Sequence, residues 1–129
     1  MNGIKVLLDT NFILGMLKST LEVLAAIASR DLLADECAYS AVTRMELLGF
    51  PGIDVAEEIL IRDRLSRFAY LSIIPAIEDA AIDLRRRHKV KLPDALIAAT
   101  ALVHGLNLLT LDADLIALLA SVSGGPADE

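Results

Sequence analysis

Four short apolar runs, separated by longer stretches with helical spacing, constrain this 129-residue chain more than any other feature. The runs are Ile4 to Leu8, Cys37 to Tyr39, Tyr70 to Ile74 and Asn107 to Leu111. Short runs without polar alternation read as strands buried on both faces, and parallel neighbours of that kind need helical crossovers between them. The intervening sequence supplies those helices. Phe12 to Leu17 and Leu21 to Ala28 have helical spacing, with Ser19 or Thr20 as a cap between them. Ser40 N-caps a helix through Leu48, stopped by the turn Gly49-Phe50-Pro51-Gly52, and Asp54 to about Phe68 is amphipathic. Pro75 closes the third run, and Ala76 to about His88 is a helix ending in cations. Leu92-Pro93-Asp94 opens a helix to His104 capped by Gly105, and Asp112 caps a last helix to about Ala120. Residues 121 to 129 (SVSGGPADE) read as a polar tail.

The expected fold is α/β: one domain over residues 1–129, built as a three-layer α/β/α sandwich around a short parallel sheet of four strands. In such sheets ligands bind outside the carboxyl ends of the strands. Asp9 and Ser40 fall at that edge, and Asp112 follows two residues after Thr110.

Composition narrows the function classes. Hydrophobic residues are 55% and charged residues 23%, which excludes a disordered chain, while aromatics at 4% without Trp require an aliphatic core. The longest uncharged stretch, Ala95 to Leu111, is broken by His104, Gly105 and Asn107, too short and interrupted for a membrane span. The start, MNGIKVLLDTN, has no signal-peptide apolar region, and the single Cys37 suits a reducing compartment, so a soluble cytoplasmic protein is expected. Net charge is −6, which disfavours indiscriminate binding to nucleic acid. Five of the 12 cations nevertheless cluster as Arg85, Arg86, Arg87, Lys89 and Lys91, where placement outweighs total charge.

Four acids occupy apolar or element-end positions: Asp9 after the first strand, Glu46 inside AVTRMELL, Asp94 in LPDALIAATA, and Asp112 in LDADL, with Asp114 two residues on. Each has a plain structural explanation. Asp9 and Asn11 suit a helix cap, Thr43 and Glu46 match a capping box, Asp94 suits a helix N-terminus, and Asp112 or Asp114 suits a turn. Convergence of three or four on one sheet edge favours a site instead. Clustered carboxylates repel unless a cation joins them, and oxygen donors without a His or Cys cluster suit Mg²⁺ or Mn²⁺ rather than Zn²⁺.

LLDTNFILGML, YSAVTRMELLGF, LPDALIAATALVHGLNLLT and TLDADL, in this order, resemble the PIN-domain family, and within it the VapC-type ribonuclease toxins of toxin–antitoxin pairs. The resemblance covers Ile4 to about Leu118. It implies that Asp9, Glu46 and Asp94 are the core acids, with Asp112 the more variable fourth; the spelling D-A-D-L leaves Asp112 and Asp114 both open. It further implies that Asn11 orients the site and that Thr10, Ser40 and Thr43 are hydroxyl positions near it. The family adds a final, fifth strand, for which SVSGGPADE gives no signal. The implied activity is a Mg²⁺-dependent endoribonuclease, with Mn²⁺ as the other candidate, in which a metal-activated water attacks phosphorus. The implied partners are RNA and a VapB-like antitoxin; the high apolar content of so small a domain also suits pairing with a second copy of the chain, and the basic run from Arg85 to Lys91 either grips the RNA backbone or simply solvates a helix end.

Other chemistries fit less well. A haloacid-dehalogenase-type phosphatase needs an acid where Asn11 stands, and a response-regulator receiver needs an Asp after the third strand, where the sequence reads Ile73-Ile74-Pro75. The competing class is a non-catalytic PIN-like domain that binds RNA or protein; loss of a core acid would favour it, and all are present.

Overall fold

The computed structural model describes residues 3–123. Its sheet has four parallel strands in the order β3-β2-β1-β4: β1 (Val6–Leu8), β2 (Cys37–Ser40), β3 (Ala69–Leu71) and β4 (Asn107–Leu109). Between β1 and β2 lie α1 (Thr10–Lys18) and α2 (Leu21–Arg30); between β2 and β3 lie α3 (Ala41–Leu48) and α4 (Val55–Leu65). The helices α5 (Pro75–Arg87) and α6 (Leu92–His104) return the chain to β4, and α7 (Ala113–Ser123) follows it.

The pleat of β1 sorts its side chains to opposite layers. Val6 and Leu8 face a cluster with Phe12, Ile13, Val23, Leu47, Ile61 and Leu65, so α1, α2 and α4 cover one face. Leu7 faces the other way, with Ala38, Val42, Ile97 and Ala101, so α6 covers the second face. The alanines of α6 let α5 and α7 pack closely behind it, through Ile77, Leu84, Leu115 and Leu118. The three-layer expectation holds.

No single helix among the described residues is long and apolar enough to cross a membrane. The apolar pair α1 and α2 bends by 104° and buries Phe12, Ile13 and Val23 in the core. That bend requires glycine at position 15, where any Cβ would collide with Val23.

Several expected element bounds move. The third strand spans Ala69–Leu71 rather than Tyr70 to Ile74, because its partner β2 ends at Ser40, opposite Leu71. Pro75 consequently opens α5 at its first turn instead of closing the strand. The fourth strand likewise stops at Leu109, opposite the last residue of β1, Leu8. The polar tail does not begin at residue 121: Ser121 and Val122 continue α7, with the Ser121 hydroxyl donating to the Leu118 carbonyl at 2.8 Å and Val122 packed on the α5–α6 cluster. Residues 124–129, where a tail or fifth strand was expected, lie outside the described residues.

Candidate functional site

The carboxyl ends of β1 and β4 meet at a single polar junction. Leu8 is in register with Leu109, which sets Asp9 beside Thr110, and the Asp9 amide donates to the Leu109 carbonyl at 3.2 Å. Asp9 is 3% exposed and caps α1, its Oδ1 accepting from the Phe12 amide at 2.7 Å. Its Oδ2 accepts from the Thr110 hydroxyl, whose oxygen accepts in turn from the Asp112 amide at 2.9 Å. Burial pushes the Asp9 carboxyl above its ordinary value, the Thr110 and Phe12 donors oppose this, and the charges of Asp112 and Asp94 add to the rise. Asp9 is therefore both a helix cap and a member of a charge cluster.

Glu46 reaches the same place from α3. Ser40 caps this helix by accepting from the Thr43 amide at 3.2 Å, so Thr43 is an interior residue and the capping box read from Thr43 and Glu46 is not formed. Glu46 Oε1 instead accepts from the Thr10 hydroxyl at 2.6 Å, on the first turn of α1. Thr10 also meets the Thr43 hydroxyl at 3.0 Å. Asn11, the next residue along α1, is exposed and lines the same cleft.

Asp94 stands in the first turn of α6, after the N-cap Lys91 and Pro93. Its carboxyl is raised first by burial, then by the charges of Asp112, Glu46 and Asp114, with Lys91 acting in the opposite sense. Asp112 caps α7: its Oδ1 accepts from the Asp114 amide at 2.8 Å and the Leu115 amide at 3.2 Å. Between the two acids left open by the sequence, it is Asp112 that shares the cleft with Asp9, Glu46 and Asp94. Asp114 is exposed and lines the neighbouring pocket.

That cleft holds about 450 Å³ and is lined by the four acids and Asn11, by Leu14, Leu47, Phe50, Ile53 and Ile61, and by the charged Lys18 and Glu57. A second pocket of about 660 Å³ shares Asp94 and Asp112 with it and is lined by Arg87, His88, Lys89 and Lys91. The expected basic run is thereby divided. Arg87, Lys89 and Lys91 adjoin the acids, whereas Arg85 and Arg86 are exposed on α5 and do not line the pocket. Ser40 and Thr43 are buried behind the cleft at 1% and 0% exposure. Among the described residues, no three His, Cys, Asp or Glu side chains stand close enough together to hold one ion as they are oriented. Both Asp9 oxygens, Glu46 Oε1 and Asp112 Oδ1 accept from protein donors. The donor set itself, oxygen throughout and crowded with like charge, has the chemistry of a hard divalent cation site.

Thr110 is the site residue that sequence reasoning missed. The alignment of β1 with β4 would have found it, since a residue that follows β4 must lie beside the residue that follows β1.

The family model for the PIN domain matches residues 6–119. Among solved structures, the chain is 31% identical to one in a toxin–antitoxin complex from Klebsiella pneumoniae, with a TM-score of 0.76 over 88% of this chain and 91% of that one. FitAcB from Neisseria gonorrhoeae is 26% identical, with a TM-score of 0.72 and coverage of 88% and 91%. VapBC2 from Rickettsia felis, bound to a promoter DNA fragment, shares the fold at 18% identity and a TM-score of 0.73, covering 89% and 93%. No curated protein sequence matches significantly. With the family model spanning nearly all of the sheet and its helices, the chain belongs to the PIN domain family.

Proposed function

We propose that this protein is a metal-dependent endoribonuclease, the toxin of a toxin–antitoxin pair, that hydrolyses RNA phosphodiester bonds. One observation carries this reading: Asp9, Glu46, Asp94 and Asp112, from four separate elements, line one cleft, and Arg87, Lys89 and Lys91 line the pocket that adjoins it. Such an array repels a phosphodiester on its own, so the four acids are assigned as ligands of Mg²⁺ or Mn²⁺. A bound divalent cation would polarise the phosphoryl oxygens and lower the pKa of a coordinated water.

The protein's own residues position the substrate. Arg87, Lys89 and Lys91 hold the backbone phosphates next to Asp94 and Asp112, and Asn11 orients the reacting group from the first turn of α1. Thr10, Ser40, Thr43 and Thr110 set the carboxylates in place.

An antitoxin partner is supported by the 31% identity to the chain from the Klebsiella pneumoniae toxin–antitoxin complex. Leu21, Val55, Ile59 and Leu60 are exposed apolar residues on α2 and α4, which suits a partner protein or a second copy of this chain. The proposed site of action is the cytoplasm.

Purified protein and a labelled single-stranded RNA test the activity. With Mg²⁺ or Mn²⁺ the native chain should cleave and Asp94→Asn should not. Binding without cleavage by the native chain, in either metal, would support a non-catalytic RNA-binding domain instead.

A further inference from the structure

We infer that Ser40, Thr43 and Thr10 form a one-way hydroxyl relay that fixes Glu46 at the cleft, which makes Thr10 and Thr43 positioning residues for the metal site. The inference rests on the reading of Glu46 as a metal ligand. Its basis is proton bookkeeping along four residues from two helices. A carboxylate only accepts, so the single Thr10 hydroxyl proton is committed to Glu46 Oε1 at 2.6 Å. The Thr10–Thr43 contact at 3.0 Å then requires Thr43 to be the donor. With its own proton used, Thr43 Oγ1 can only accept from Ser40, whose hydroxyl lies 3.4 Å away. Ser40 Oγ is itself fixed, because it accepts the Thr43 amide as the cap of α3.

Every proton in the chain therefore points toward Glu46, and aligned donors polarise one another. Thr43 and Ser40 are fully buried, so neither can touch RNA or an ion; they act only through Thr10. Glu46 itself is exposed on α3, and the relay is what holds so long a side chain in one orientation.

Calorimetric titration of Mn²⁺ into the native chain, Glu46→Gln, Thr10→Val, Thr10→Ser and Thr43→Val, with a thermal melt of each, tests the relay. Removing an outer partner of a ligand typically costs about 10- to 100-fold in metal affinity. Thr10→Val should lose affinity in that range, Thr43→Val should lose less, and Thr10→Ser should restore it to within about twofold of native. Native affinity in both valine variants, alongside a loss in Glu46→Gln, would overturn the relay while leaving Glu46 as a ligand. Native affinity in Glu46→Gln would remove the ligand reading and the relay with it. Should Thr10→Val fail to fold, Thr43→Val and Thr10→Ser carry the comparison.

Discussion

The Thr110 hydroxyl donates to Asp9 Oδ2 across 101 positions of sequence, and its oxygen accepts the Asp112 amide at 2.9 Å. One side chain thus ties the ends of β1 and β4 to the start of α7. Thr110→Val keeps the shape and leaves a buried carboxylate oxygen without its donor, a loss of about 1–3 kcal/mol. Urea melts should show that loss in Thr110→Val and most of it recovered in Thr110→Ser. Equal stability of both variants and the native chain would show that the bond contributes nothing.

Asp94 gives an unusual pH dependence. Its folded carboxyl is raised above the unfolded value of 3.8, first by burial and then by neighbouring acids. A raised acid favours folding while protonated, so its cost is absent below the unfolded value and complete above the folded one. Metal-free protein should therefore lose stability from this group as pH rises from about 4 through the raised value. The melting temperature of Asp94→Asn should match native at pH 3.5 and exceed it at pH 7. A variant no more stable than native at pH 7 would contradict the assigned repulsion.

Cys37 is 1% exposed, and burial, with Glu36 and Asp35 adding, pushes its thiol up to about 11 from 9.0. The thiolate is the reactive form, and at pH 8 a rise of this size lowers the thiolate fraction by about 100-fold, which slows alkylation before access is considered. Iodoacetamide should label the native chain far more slowly than the urea-unfolded chain. Comparable rates at pH 8 would mean the site opens readily.

The basic run should divide functionally as it divides structurally. Arg87, Lys89 and Lys91 adjoin the acids, and Arg87 also pairs with Asp83 at 2.9 Å, while Arg85 and Arg86 stand apart. Each lost phosphate contact flattens the dependence of log K on log salt by roughly 0.7 for a single strand. The triple alanine variant at 87, 89 and 91 should flatten it by about 2, and the 85/86 pair should change it little. Fluorescence anisotropy with RNA in EDTA, at 50 and 200 mM salt, reads both slopes; equal slopes would place the whole run on a solvated face.

Much of the layer order and acid cluster was legible because it depends on local pattern. Asp9, Ser40 and Asp112 sit at element ends that short apolar runs and capping residues announce. Strand lengths were not legible, because β3 and β4 stop where their partners β2 and β1 turn into helices. Nor was the Thr10–Glu46 bond, which depends on how α1 faces α3 across 36 positions. The Thr43–Glu46 spacing even suggested the wrong partner, since the cap of α3 is formed three residues earlier by Ser40.

Metal-dependent RNA hydrolysis at Asp9, Glu46, Asp94 and Asp112 is most directly tested by one cleavage assay. Purified native protein and labelled single-stranded RNA are incubated in EDTA, then supplied with excess Mn²⁺ or Mg²⁺, with Asp9→Asn and Asp94→Asn in parallel. The account predicts no cleavage in EDTA, restored cleavage on metal addition, and none in either variant although both remain folded. Cleavage undiminished in EDTA, or native rates in both variants, would contradict it.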